Sequence, residues 1–141
     1  MKRLIIFVLF VLTLAGCGEA GGDYGVGSEL ATIDWTGTWR GTVTEAAFGT
    51  NTATLSVAQG GTTITGTYSS PYSTGNVSGS VSGNVVSITM SSASCTGMLY
   101  GSAKVLTNAL GRQEMAFTAS GTFACSNQSY DNTITGTLIK Q

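Results

Sequence analysis

From Asp34 to the C-terminus, apolar and glycine residues alternate one by one with threonine and serine. A side-chain period of two is that of a strand with one buried face, and it does not suit the 3.6-residue turn of a helix. In the first segment Trp35, Gly37, Trp39, Gly41 and Val43 share one face, while Thr36, Thr38, Arg40, Thr42 and Thr44 share the other. The same rhythm returns around Leu55 and Val57, Ile64 and Tyr68, Val77 and Val81, and Val86, Ile88 and Met90. It continues through Leu99, Ala103 and Val105, then Met115, Phe117 and Phe123, and last Ile134 and Leu138. That makes eight candidate strands.

Turn residues check the register independently. A two-residue turn at Gly60-Gly61 sets Val57 opposite Ile64, and one at Gly83-Asn84 sets Val81 opposite Val86 and Val77 opposite Met90. A hairpin centred near Ala109-Leu110-Gly111 sets Leu99 opposite Gly121, Ala103 opposite Phe117 and Cys95 opposite Cys125. A slip of one residue would send these side chains to opposite faces. Consecutive antiparallel strands with short turns form a meander, and closing eight of them removes the exposed edges. The expected fold is therefore all-β, an eight-stranded antiparallel up-and-down barrel, with a β-sandwich as the alternative. A transmembrane barrel uses the same alternation turned inside out, but here glycines interrupt the apolar face and no aromatic girdle is visible.

Eight glycines (37, 41, 66, 79, 97, 101, 121 and 136) fall on the apolar face. Either they let strands coil tightly enough to close a small barrel, or their missing side chains leave an apolar cavity. The first reading is favoured, because an eight-stranded barrel is just wide enough for its own side chains to fill. On the second, the candidate ligand-lining residues are Trp39, Tyr68, Leu99, Met115, Phe117 and Phe123.

The N-terminus carries a different signal. Met1-Lys2-Arg3 is followed by an apolar run from Leu4 to Leu14 broken only by Thr13, the layout of a secretory signal. It ends in Leu14-Ala15-Gly16-Cys17 and resembles the lipobox of bacterial lipoproteins. The resemblance implies a signal peptide over 1–16, lipidation of Cys17 (a diacylglyceryl group on sulfur and an acyl chain such as palmitate on the new amine), and membrane attachment in the cell envelope. Gly18, where aspartate would imply inner-membrane retention, favours the outer membrane in a Gram-negative cell. Residues 17–33 then form a glycine-rich tether spanning roughly 20–25 Å, and 34–141 the barrel domain. With Cys17 lipidated in an oxidising compartment, Cys95 and Cys125 remain to form a disulfide. A two-thiol metal site would need further ligands, and the chain has no histidine to provide them.

Composition narrows the chemistry. Past the leader, Arg40, Lys104, Arg112 and Lys140 face seven carboxylates, so no basic patch exists and nucleic acid is not an expected partner. The absence of histidine removes the commonest general base and metal ligand. No calcium, phosphate or zinc motif is present, and no cofactor or metal is expected. Asp34, Glu45, Glu114 and Asp131 fall near strand ends, where solvated carboxylates are expected rather than a paired glycosidase site. No catalytic residue is assigned, and the domain is expected not to be an enzyme. Tyr24, Tyr72 and Tyr130 lie in tether or loops, where they are candidate contact residues.

Thr36-Gly37-Thr38-Trp39, Ala53 to Val57 and Ile64 to Ser70 (ITGTYSS) resemble the first three strands of the avidin and streptavidin family, and the GTW is similar to the lipocalin signature. Both families are eight-stranded barrels that bind small molecules at the mouth. Tyr68 and Ser70 match the tyrosine and serine that contact the ureido oxygen of biotin. Gly41 and Glu45 stand where that family has asparagine and serine, and the tryptophans that box in biotin are missing from later strands. Biotin binding is therefore not implied. Small lipid-anchored barrels with one disulfide also resemble envelope inhibitors of lysozyme and metalloproteases; a rigid reactive loop would be needed, and Ser69 to Gly75 and Cys125 to Asn132 are the candidates. The leading expectation is a membrane-anchored, non-catalytic domain that binds a small apolar ligand or an envelope protein. Enzyme inhibition and a passive surface or adhesion role are the alternatives.

Overall fold

A computed structural model describes residues 33–141. The leader, Cys17, Tyr24 and the tether up to residue 32 lie outside the described residues.

Eight strands follow in chain order: β1 (Gly37–Glu45), β2 (Gly49–Gly60), β3 (Thr63–Ser69), β4 (Thr74–Ser82), β5 (Val85–Ser92), β6 (Thr96–Thr107), β7 (Gln113–Cys125) and β8 (Gln128–Lys140). Each pairs antiparallel with the next, and β8 returns to β1 with Val43 opposite Gly136, so the sheet closes into an up-and-down barrel. Closure, rather than a two-sheet sandwich, leaves no strand edge unpaired.

The alternation in the sequence becomes an inside and an outside. Trp39, Val43, Val57, Ile64, Tyr68, Leu99, Met115 and Leu138 are buried in one core. Outside, an exposed row of hydroxyls (Thr44, Thr135, Thr118, Ser102, Ser87 and Ser80) runs from strand to strand across six of them. Apolar side chains thus point in and hydroxyls out, the reverse of a lipid-facing barrel.

The inward glycines serve closure. A Cβ on Gly66 would collide with the Ser56 carbonyl oxygen of the neighbouring strand, and one on Gly121 with that of Met98. The space beside these residues is already filled by backbone, so they permit sharp coiling rather than open a cavity.

Two of the three hairpins keep the expected register. Val81 faces Val86, Val77 faces Met90, Leu99 faces Gly121 and Ala103 faces Phe117. The first hairpin differs by two residues: Gly60 pairs with Thr63, so the turn is Gly61-Thr62 and Val57 faces Gly66 instead of Ile64. Gly61 adopts φ 62°, and the Thr63 hydroxyl donates to the Gly60 carbonyl at 2.9 Å, fixing the turn one residue later than composition suggests. A two-residue shift leaves every side chain on its expected face. Both loops considered for a rigid reactive element are shorter than expected. Ser126-Asn127 alone links β7 to β8, with both residues at positive φ as a tight hairpin requires. Ser70 to Ser73 links β3 to β4, closed by the Ser70 N–H donating to the Ser73 carbonyl at 2.7 Å. Tyr130 therefore belongs to β8 and not to a loop.

Candidate functional site: the mouth of the barrel

The two ends of the barrel are built differently. At one end the segment before β1 folds inward and Trp35 is fully buried as a plug. Its backbone N–H donates to Gln59 Oε1 at 2.9 Å, and the Trp39 indole N–H donates to the Trp35 carbonyl at 3.0 Å. Lys140 Nζ donates to the Asp34 carbonyl at 2.7 Å and sits 5.5 Å from the Trp39 ring centroid.

At the other end the turns β1–β2, β3–β4, β5–β6 and β7–β8 surround a cup of about 290 Å³ lined by Phe48, Tyr72, Phe123, Tyr130 and Asn132, with both disulfide cysteines in its wall. Phe48 and Tyr72 are about half exposed or more, and their rings stack at a centroid distance of 5.5 Å and an interplanar angle of 15°. The Cys95–Cys125 bond (Cα–Cα 4.6 Å, 30 residues apart) ties the start of β6 to the end of β7 at this rim.

Beneath the cup lies a polar layer. Glu45 is only 2% exposed, which corrects the expectation of a solvated strand-end carboxylate. Its parity explains this: Glu45 continues the inward row of Trp39, Gly41 and Val43, so the end of β1 points it into the barrel. Glu45 Oε1 accepts from Asn51 Nδ2 at 3.2 Å and from the Ser70 hydroxyl at 3.1 Å, whereas Glu45 Oε2 and Asn51 Oδ1 are buried with no partner. Leaving such an oxygen bare costs about 1–3 kcal/mol, and more for a charged group. Ser70 Oγ also accepts the Ser73 N–H at 3.1 Å, and the Tyr68 hydroxyl bonds to Ser73 Oγ at 2.8 Å. Burial pushes the Tyr68 phenol above its ordinary value; the Ser73 hydrogen bond opposes the rise and Glu45 adds to it. Asn132, the other buried polar residue, accepts the Ala47 N–H at 3.3 Å and helps floor the cup.

Below this layer the apolar interior keeps only about 30 Å³ of open space. That admits water but not an organic ligand. The six residues expected to line a ligand separate accordingly. Tyr68, Met115 and Phe117 border the small interior space, and Phe123 lines the cup. Trp39 and Leu99 are fully buried and border neither.

Tyr68, Ser70 and Glu45, the positions that the avidin resemblance picks out, converge in the polar layer. Phe48, Asn51 and Asn132 were not expected at the site. Asn51 lies opposite Val43 in the inward register, and Phe48 is a lone large apolar residue in a turn. Among the described residues, no group of three or more His, Cys, Asp or Glu is placed to hold a metal ion. No family model matches the chain, and neither the curated proteins nor the solved structures yield a match.

Proposed function

We propose that the protein is an exported, lipid-anchored, non-catalytic binding domain of the bacterial cell envelope that takes a small, largely apolar ligand at the barrel mouth. The observation that carries this reading is the aromatic cup of about 290 Å³. Its size falls near the lower end for small-molecule sites, and convergent aromatic walls over a few fixed polar groups are their usual lining. The body of the ligand belongs in the cup, because the interior space beneath it takes nothing larger than a water-sized group.

The anchor and the cup fit one arrangement. The described chain enters at the Trp35 end, opposite the cup, so attachment through Cys17 joins the domain at its closed end and leaves the mouth clear of the tether. The glycine-rich tether is long enough to lift the domain off the surface.

Both parts are testable on the full chain. Labelled palmitate should enter the wild type but not Cys17→Ser, and the variant should leave the membrane fraction or stay as precursor; equal labelling and processing would end the anchor reading. A neutral aromatic fluorophore such as phenylnaphthylamine should bind with enhanced emission and raise the unfolding temperature with its concentration. The paired change Phe48→Ala and Tyr72→Ala should weaken binding roughly tenfold or more, as loss of buried aromatic contacts implies, while moving stability by less than about 1 kcal/mol. Binding that ignores both changes would refute the cup as the site.

A further inference from the structure

Glu45 gives the site a chemical preference that the aromatic cup alone does not have. Its carboxylate is buried, and its hydrogen-bond partners, Asn51 and Ser70, are both neutral. No cation among the described residues can pair with it. Arg40, Lys104 and Arg112 are exposed on the outside, and Lys140 is engaged by Asp34 and Trp39 at the opposite end.

The bare groups beside it point the same way. Glu45 Oε2 and Asn51 Oδ1 are both acceptors, both buried and both unpartnered, and the two residues are joined by a 3.2 Å hydrogen bond. Two unfilled acceptors on hydrogen-bonded residues call for a group with several N–H donors. A carbonyl, ether or carboxylate would meet only lone pairs there.

Glu45 and Ser70 border the small interior space, which lies next to the cup floor. Glu45 faces Ile134 on β8, two residues from Asn132 in the cup floor, and Ser73 in the cup wall is bonded to Tyr68 of the polar layer. Phe48, Tyr72 and Tyr130 line the cup, an aromatic surround that favours a cation attached to an apolar body.

We infer that the mouth selects small organic cations, a water-sized ammonium head on an apolar body, with Glu45 Oε2 and Asn51 Oδ1 receiving the head's N–H donors and the aromatic rim covering the rest. This rests on the reading that the mouth binds a small ligand, and it specifies that ligand's class.

The decisive probes are phenylpropylammonium and phenylpropanol, which share a skeleton and differ in the head group. Titrated against the full chain by calorimetry, the ammonium should bind at least about tenfold tighter, because the alcohol brings one donor and no charge. Glu45→Gln keeps the side-chain shape and should bring the two probes to within about twofold by weakening only the ammonium. Asn51→Ala, which retains Glu45, should weaken the ammonium and leave the alcohol unchanged, and it serves if Glu45→Gln does not fold.

Equal affinity of the two probes for the wild type would overturn the inference, as would an ammonium preference that survives Glu45→Gln. So would failure of both probes to bind. In each of these cases the neutral fluorophore decides separately: if it still binds and depends on Phe48 and Tyr72, the mouth remains the site without selectivity for cations. If it does not bind, the proposed function falls as well.

Discussion

The plugged end and the open end of the barrel are made from the same strands yet are closed to different degrees. At the plugged end, Lys140, Asp34, Gln59 and the two tryptophans join through hydrogen bonds and a ring contact into one closure, within which the Trp35 indole N–H alone is buried without a partner. At the mouth, aromatic rings remain exposed and two carbonyl-type oxygens stay buried without partners. Each end keeps a buried polar group without a partner, but only the mouth combines bare acceptors with exposed aromatic rings. Such departures from good packing and full hydrogen bonding gather at functional sites.

The contrast can be broken most directly at the plug. Trp35→Ala should cost about 3–5 kcal/mol in chemical denaturation, the range for removing a fully buried tryptophan, and should leave fluorophore affinity at the mouth nearly unchanged. A cost below about 1 kcal/mol would show that the plug is not where stability resides; a large fall in affinity would show that the ends are coupled.

The mouth has one strong stabilising element of its own, the Cys95–Cys125 bond. Replacing both cysteines by serine should cost roughly 3–4 kcal/mol for a loop of this length by the loop-closure entropy argument. Because both cysteines line the cup, fluorophore affinity should fall as well. Finding two free thiols in the non-reduced protein, or an unchanged denaturation midpoint in the variant, would remove the bond from the account.

The smallest expected effect is alkaline. The Tyr68 phenol ionises later in the folded chain than in the unfolded one, whose ordinary value is 10.0. Between those two values the unfolded state has lost the proton and the folded state still holds it. Stability is therefore full below the ordinary value and falls as pH rises through the folded one. Tyr68→Phe should flatten that limb of the stability profile and remove a late-titrating phenol from the tyrosinate absorbance. An alkaline limb identical to wild type would mean that the polar layer is wetter than its burial implies.

The strand count, the facing of nearly every side chain and the cysteine pair were legible in the residues because each depends on short-range periodicity and on hairpin turns. Trp39 and Thr38 must point opposite ways wherever the strand goes, and Leu99 opposite Gly121 places Cys95 opposite Cys125. The same parity already put Glu45 on the inner face; its position near a strand end suggested solvent instead, since nothing local shows whether a barrel end is open or covered. Closure of β8 on β1, the inward fold of Trp35 and the gathering of Phe48, Tyr72 and Tyr130 are contacts between distant parts of the chain. The strand ladder decides them, because coiling at residues such as Gly66 and Gly121 sets where each turn arrives. Periodicity reports which way a side chain faces. Only the closed barrel determines which other side chains it meets and whether an oxygen such as Glu45 Oε2 is left without a donor.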